Sequence, residues 1–167
     1  SRHRGYRRRL VVSDGLFSMD GDLAPLPELV KLCHQHQALL ILDDAHATGV
    51  IGPSGRGSLE HFGLEAQGLI QVGTLSKALG SLGGFVVGPR ALIDYLCHKA
   101  RPFIYTTALP PPCVAAALAS LQIVQTEPWR RQRLLENAAW LRAELANQGW
   151  PIPQGPGPVI PITTGSN

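Results

Sequence analysis

Two short runs put reactive side chains where a buried strand gives way to a loop. The first is Leu42-Asp43-Asp44-Ala45-His46-Ala47-Thr48-Gly49. Asp43 closes an apolar stretch, and strand ends of this kind are where α/β proteins meet their ligands. A carboxylate buried there needs a partner. A cofactor with a cationic ring nitrogen would serve. A metal held by Asp43, Asp44 and His46 is a second possibility. Plain turn capping by the two aspartates, with His46 simply hydrogen-bonded, is a third. The run alone leaves all three open.

The second run is Val72-Gly73-Thr74-Leu75-Ser76-Lys77-Ala78-Leu79-Gly80, again just past a strand. The chain has three lysines, Lys31, Lys77 and Lys99. Lys31 and Lys99 fall on helical stretches with polar neighbours, as surface charges do. Lys77 falls among Ser, Thr and Gly, a setting for a phosphate contact or a Schiff base, or for an ordinary surface turn. It is not a Walker A loop, which needs Gly-Lys-Ser/Thr at its end.

Taken together the runs are more specific than either. Pyridoxal phosphate (PLP) chemistry requires a lysine to hold the cofactor and a carboxylate on the pyridine nitrogen, which makes the ring an electron sink. The carboxylate must stay ionised beside a cation. The lysine must be neutral to act as a base.

The elements that must position these residues alternate between strand and helix. Leu10–Ser13 reads as a strand, followed by a Gly/Asp-rich loop over 15–22. Pro25 or Pro27 opens a helix whose Leu26, Leu29, Val30 and Cys33 share a face. Ala38–Leu42 is a continuous apolar run, expected to be a strand buried on both faces. Gly49–Gly57 is a loop. Leu69–Val72 and Gly84–Gly88 are expected strands, Pro89 to about Lys99 a helix, and Phe103–Thr106 strand-like. Helices follow over Ala115–Val124 and from Pro128 to Gly149, the latter with Leu134, Leu135, Ala138, Leu141 and Leu145 on one face. Val159–Ile162 is strand-like. Short apolar strands alternating with helices predict an α/β domain with a mostly parallel sheet.

A 44% hydrophobic, 16% charged composition excludes a disordered chain. No apolar run approaches a membrane span, so a cytoplasmic protein is expected. Cys33, Cys97 and Cys113 are scattered, with neither disulfide nor zinc spacing, and are expected as small buried hydrophobes. The net charge of +3 comes from Arg2, Arg4, Arg7, Arg8 and Arg9; the rest of the chain carries −2. That run could bind nucleic acid, but it is short, holds a single aromatic, Tyr6, and leads directly into a strand; a solvated lead-in is expected. The chain begins without Met and stops soon after a strand-like stretch, which suggests a fragment.

The motifs resemble the α-oxoamine synthases, a branch of the aspartate-aminotransferase-like PLP enzymes. The resemblance rests on Asp43–Gly49, Gly55-Arg56-Gly57-Ser58 and Gly73–Gly80 with Gly83-Gly84. Phe17-Ser18-Met19-Asp20-Gly21-Asp22 and Ile104-Tyr105-Thr106-Thr107-Ala108-Leu109-Pro110-Pro111 extend it. It weakens after Trp129. The first motif differs from the Asp-Glu-Val-His common in the aminolevulinate-forming branch and is closest to the biotin-pathway branch.

The resemblance implies the fold type I transferase architecture, with residues 1–148 in the large PLP-binding domain and 149–167 a linker and the start of a small domain. It implies that Lys77 holds the cofactor and acts as general base, and that Asp43 pairs with the pyridinium nitrogen. His46 and Ser18 would lie near the phenolic oxygen, and Thr74 at the phosphate. Thr106 and Thr107 would reach the phosphate in a partner subunit, making a homodimer. The implied reaction condenses L-alanine with a pimeloyl thioester, of CoA or of a carrier protein, with decarboxylation. No metal, nucleic acid or membrane is implied. A glycine C-acetyltransferase-like member and a truncated non-catalytic subunit are the alternatives. The family's glycine-rich phosphate turn, ring-stacking histidine and substrate-carboxylate arginine have no counterpart in this sequence, so full activity is not expected of it alone.

Overall fold

The structure is a computed structural model that describes residues 7–65 and 68–165; Arg2, Arg4 and Tyr6 of the basic run lie outside them. Four strands form one sheet in the order β1-β2-β3-β4: β1 (Arg9–Asp14), β2 (Ala38–Asp43), β3 (Ile70–Thr74) and β4 (Gly84–Val87). The first three are parallel, with Val12 opposite Ile41, Ile41 opposite Ile70 and Asp14 opposite Asp43. β4 runs antiparallel to β3, with Gly73 opposite Phe85 and Thr74 opposite Gly84. The carboxyl ends of β1–β3 and the start of β4 therefore share one edge.

Strand alternation divides the side chains between two faces. On one, Leu40 and Leu42 are fully buried with Ala24, Leu26, Cys33, Leu59 and Leu69, forming the core beneath α1 (Leu26–Gln35) and the short α2 (Ser58–His61). Pro25 precedes α1, and its fixed φ suits a helix start. The other face is less covered. Leu39 and Ile41 are half-buried, and Leu10 and Val12 of β1 stay 57% and 69% exposed. The expectation that β2 is buried on both faces therefore holds for one face only.

The pairing of Gly73 with Phe85 is tight: a methyl group on Gly73 would sit 2.2 Å from the Phe85 ring. Only a residue without a side chain fits across from that ring.

The helices α3 (Arg90–Lys99), α5 (Pro111–Thr126) and α6 (Trp129–Asn147) lie near their expected positions. Four expectations are corrected. Phe103–Thr106 is not a strand. Pro102 sits in the first turn of a short helix, α4 (Arg101–Ile104), and the Tyr105 N–H donates to Arg101 O. Phe103 and Ile104 have β-forming side chains, but among the described residues no neighbouring strand pairs with them. Val159–Ile162 forms no strand among the described residues. Pro158 and Pro161 lack ladder donors, and Val159 O accepts instead from Arg142.

On α6 the buried residues are Arg131, Ala138 and Arg142. Leu134 and Leu141 remain 38% and 41% exposed, so the buried stripe is rotated away from the expected leucine face. Both arginines bury their stems and donate to carbonyls, while the buried Arg142 Nε finds no acceptor among the described residues. Arg131 donates to Val124 O and Pro53 O, and Arg142 to Gly157 O and Val159 O. Finally, all three cysteines are free, but only Cys33 is buried; Cys97 is exposed and Cys113 intermediate. Burial pushes the Cys33 thiol up.

Candidate active site at the carboxyl edge of the sheet

Three loops leave or cross the shared edge, and five of the expected site residues lie on or beside them. Ser18 is on the turn after β1, Asp43 ends β2, His46 follows within the next turn, Thr74 ends β3, and Lys77 is in the loop joining β3 to β4. The topology thus gathers residues spread over sixty positions onto one side of the sheet.

Asp43 is half-buried, and one of its oxygens is committed: Oδ1 accepts the Ala45 N–H at 2.9 Å. That is the turn cap expected of an Asp at this position. Oδ2 accepts no hydrogen bond among the described residues. It remains available for an incoming donor.

Asp44, the next residue, points to the opposite face, in phase with Leu40 and Leu42, and is completely buried. Its Oδ2 accepts from Ser58 N at 2.9 Å and Gln71 Nε2 at 2.8 Å, and its Oδ1 from Ser58 Oγ. Burial raises the Asp44 carboxyl above its ordinary range. The Ser58 and Gln71 donors oppose that shift, and the charge of Asp43 adds to it. Among the described residues no His, Cys, Asp and Glu side chains cluster as a metal site would.

Lys77 is exposed and has no ion-pair partner among the described residues. Its loop is internally braced. Leu75 N donates to Gly83 O, Ser81 N to Leu75 O and Gly80 N to Lys77 O. Thr74 Oγ1 lies 2.7 Å from Ser76 Oγ and donates to Gly83 O at 3.1 Å. The two motifs touch through Gly49, which adopts φ +79°. A methyl group there would stand 3.2 Å from Ala78 Cβ, beside Lys77.

His46 is half-buried, and Ser18 is exposed. No hydrogen bond joins them among the described residues. Thr106 and Thr107 are exposed on the stretch between α4 and α5. That stretch docks on the lysine loop further along: Leu109 lies against Gly83, and Ser81 Oγ donates to Cys113 O at 2.6 Å. Neither threonine hydroxyl is tied to the Asp43 end of the site.

Sequence reasoning quoted Ser58 only as part of a motif, gave no role to Gln71, and did not place Asp44 in the core. The parity of Asp44 with Leu40 and Leu42 was a signal that could have placed it in the core. The identity of its partners carried no such signal.

The donor set suits a cofactor with a cationic ring nitrogen and an aldehyde. It offers an unpaired carboxylate oxygen at one strand end and an unpaired amine on the adjoining loop.

Residues 1–167 match the family described as aminotransferase class I and II. The chain is 49% identical over 160 residues to an 8-amino-7-oxononanoate synthase of Symbiobacterium thermophilum, covering 96% of this chain and 41% of the relative. The chain thus spans about two-fifths of that relative's length. Its fold superposes on a serine palmitoyltransferase from S. paucimobilis with a bound PLP–myriocin aldimine, at a TM-score of 0.93 and 36% identity, over 99% of this chain and 43% of that one. It also superposes on an 8-amino-7-oxononanoate synthase from Francisella tularensis, at a TM-score of 0.80 and 32% identity, over 92% of this chain and 45% of that one.

Proposed function

The chain belongs to the class I and II aminotransferase family, and on that premise we propose that it is the cofactor-binding part of a PLP-dependent acyltransferase. The reaction joins L-alanine to a pimeloyl thioester and releases carbon dioxide and the thiol of CoA or of a carrier protein. The product is 8-amino-7-oxononanoate, a precursor of biotin. The observation that carries this reading is the 49% identity to a protein of that name across nearly the whole chain. Identity to the serine palmitoyltransferase, at 36%, is lower than to this relative, though above the 32% to the Francisella tularensis synthase.

PLP, when bound, supplies the electron sink that stabilises negative charge at the amino-acid Cα. The protein's residues do the rest. Lys77 would hold the cofactor through its amine and, with that amine free, would take the Cα proton. Asp43 Oδ2 would accept from the ring nitrogen, while Oδ1 stays on Ala45 N. His46 and Ser18 would serve the phenolic oxygen, and Thr74 the phosphate.

Thr106 and Thr107 would serve the phosphate of a partner subunit in a homodimer. Residues 1–148 read as large-domain sequence and 149–167 as the passage into a smaller domain. No helix among the described residues is long and apolar enough to cross a membrane, and we place the enzyme in the cytoplasm.

The test is to add PLP, reduce with borohydride, digest, and locate the pyridoxyl tag by mass spectrometry. A tag on Lys77 is expected, and L-alanine added before reduction should lower it. A tag scattered over Lys31 and Lys99, with none on Lys77 in the full-length protein, would overturn the assignment.

A further inference from the structure

We propose that Asp44 is a positioning residue: its buried carboxylate, through Ser58 and Gln71, sets the backbone that presents Asp43, His46 and the Lys77 strand at one edge. The proposal rests on the PLP reading above and deepens it.

A fully buried carboxylate is costly unless every oxygen is satisfied. Asp44 has no cationic partner among the described residues. Three donors converge on it instead. The fold clears space for this arrangement at two glycines: a methyl group on Gly15 would lie 2.1 Å from Oδ1, and one on Gly57 2.1 Å from Oδ2. Segments following β1, β2 and the glycine-rich loop, together with β3 itself, therefore meet at one side chain.

The backbone of the same residue organises the site. Asp44 N donates to Val72 O at 2.8 Å, which carries the β2–β3 pairing one residue beyond Asp43. Asp44 O accepts from Ala47 N and Thr48 N, and from Thr48 Oγ1. These bonds shape the turn that holds His46. Gln71 lies three residues before Thr74 on β3, so the same carboxylate also fixes the strand leading to Lys77. Asp44 faces away from Asp43 and acts through these bonds.

The hydrogen-bond pattern separates geometry from charge. In Asp44→Asn the amide oxygen can take the place of Oδ2 and accept from Ser58 N and Gln71 Nε2. The amide nitrogen then takes the place of Oδ1 and donates to Ser58 Oγ, which can accept. Asp44→Ala leaves all three donors unpaired. Ser58→Ala removes one donor and leaves the fold's backbone contact intact.

The experiment measures PLP affinity by spectral titration, tagging of Lys77, and kcat and KM for L-alanine. It uses the full-length holoenzyme, comparing wild type, Asp44→Asn, Asp44→Ala and Ser58→Ala. Ala138→Gly, at a buried position of α6, serves as a control destabilised away from the site. Asp44→Ala should weaken PLP binding at least about tenfold and lower kcat, and Ser58→Ala should weaken it about threefold. Asp44→Asn should lose less affinity than Ser58→Ala, and Ala138→Gly should match wild type in PLP affinity.

If Asp44→Ala does not fold, Ser58→Ala and Asp44→Asn still decide. Wild-type PLP affinity in Ser58→Ala or Asp44→Ala overturns the proposal. So does an Asp44→Asn variant as impaired as Asp44→Ala, which would make charge the cause, or as impaired as Ser58→Ala. Equal loss in Ala138→Gly, which would make general stability the cause, also overturns it. A wild type with no tag on Lys77 instead overturns the cofactor reading on which it stands.

Discussion

Gly49 rests against Ala78, and through this contact the turn that follows Asp43 reaches the loop that carries Lys77. The contact needs two properties at once. Gly49 has φ +79°, a left-handed backbone that costs other residues about 1–2 kcal/mol, and a side chain there would press on Ala78 at 3.2 Å. Gly49→Ala should lower the free energy of unfolding by at least that ~1–2 kcal/mol and reduce tagging of Lys77 by PLP and borohydride. Denaturant unfolding and tag yield, measured on the same preparation, check both halves.

Asp43 divides its oxygens between a turn and a ligand. Asp43→Asn can keep Oδ1 on Ala45 N, so thermal stability should change little. It presents an amide where the ring N–H needs an acceptor, and the loss of a hydrogen bond to a charged group corresponds to a roughly tenfold or greater fall in PLP affinity. A spectral titration beside a melting curve reads the separation. Equal PLP affinity in the variant would remove Asp43 from its role.

Glu60 closes the glycine-rich loop by accepting from Ser54 N, Ser54 Oγ and Arg56 N. Burial works to raise its carboxyl, but these donors and the Arg56 charge outweigh it and hold the group below the ordinary glutamate range. A folded-state value below the unfolded one stabilises the fold above the unfolded pKa. That contribution is lost as pH falls through the folded value. The melting-temperature difference between wild type and Glu60→Gln should therefore be full at neutral pH and shrink in acid.

Arg131 ties α6 to the chain before it and to the glycine-rich loop through Val124 O and Pro53 O. Replacing it with Met keeps most of the buried stem but strands two carbonyls. A loss of about 1–3 kcal/mol is expected, read as a shift in the urea midpoint.

Much of this architecture was legible in the residues. Asp43 and Lys77 stood out because a carboxylate and a lysine each followed an apolar run, and strands at that spacing share an edge when they are parallel. The Pro25, Pro89 and Pro110–Pro112 signals marked three helix starts because proline's fixed φ acts locally. What was not legible depends on distant partners. Asp44 finds Ser58 and Gln71, 14 and 27 residues away. The α6 arginines are buried because carbonyls of other segments receive them. Phe103 and Ile104 look like a strand by side-chain type, but a strand exists only where another lies beside it.

The Gly73–Phe85 pairing has a further consequence, for insertions and deletions. If β4 slipped by one residue, Phe85 would face Val72 or Thr74, and side chains would change faces all along the strand. The sheet therefore cannot absorb a change in chain length between Thr74 and Gly84. A codon gained or lost there would fall entirely on the nine-residue loop and move Lys77 itself. At this edge the number of residues is as much a part of the site as their chemistry.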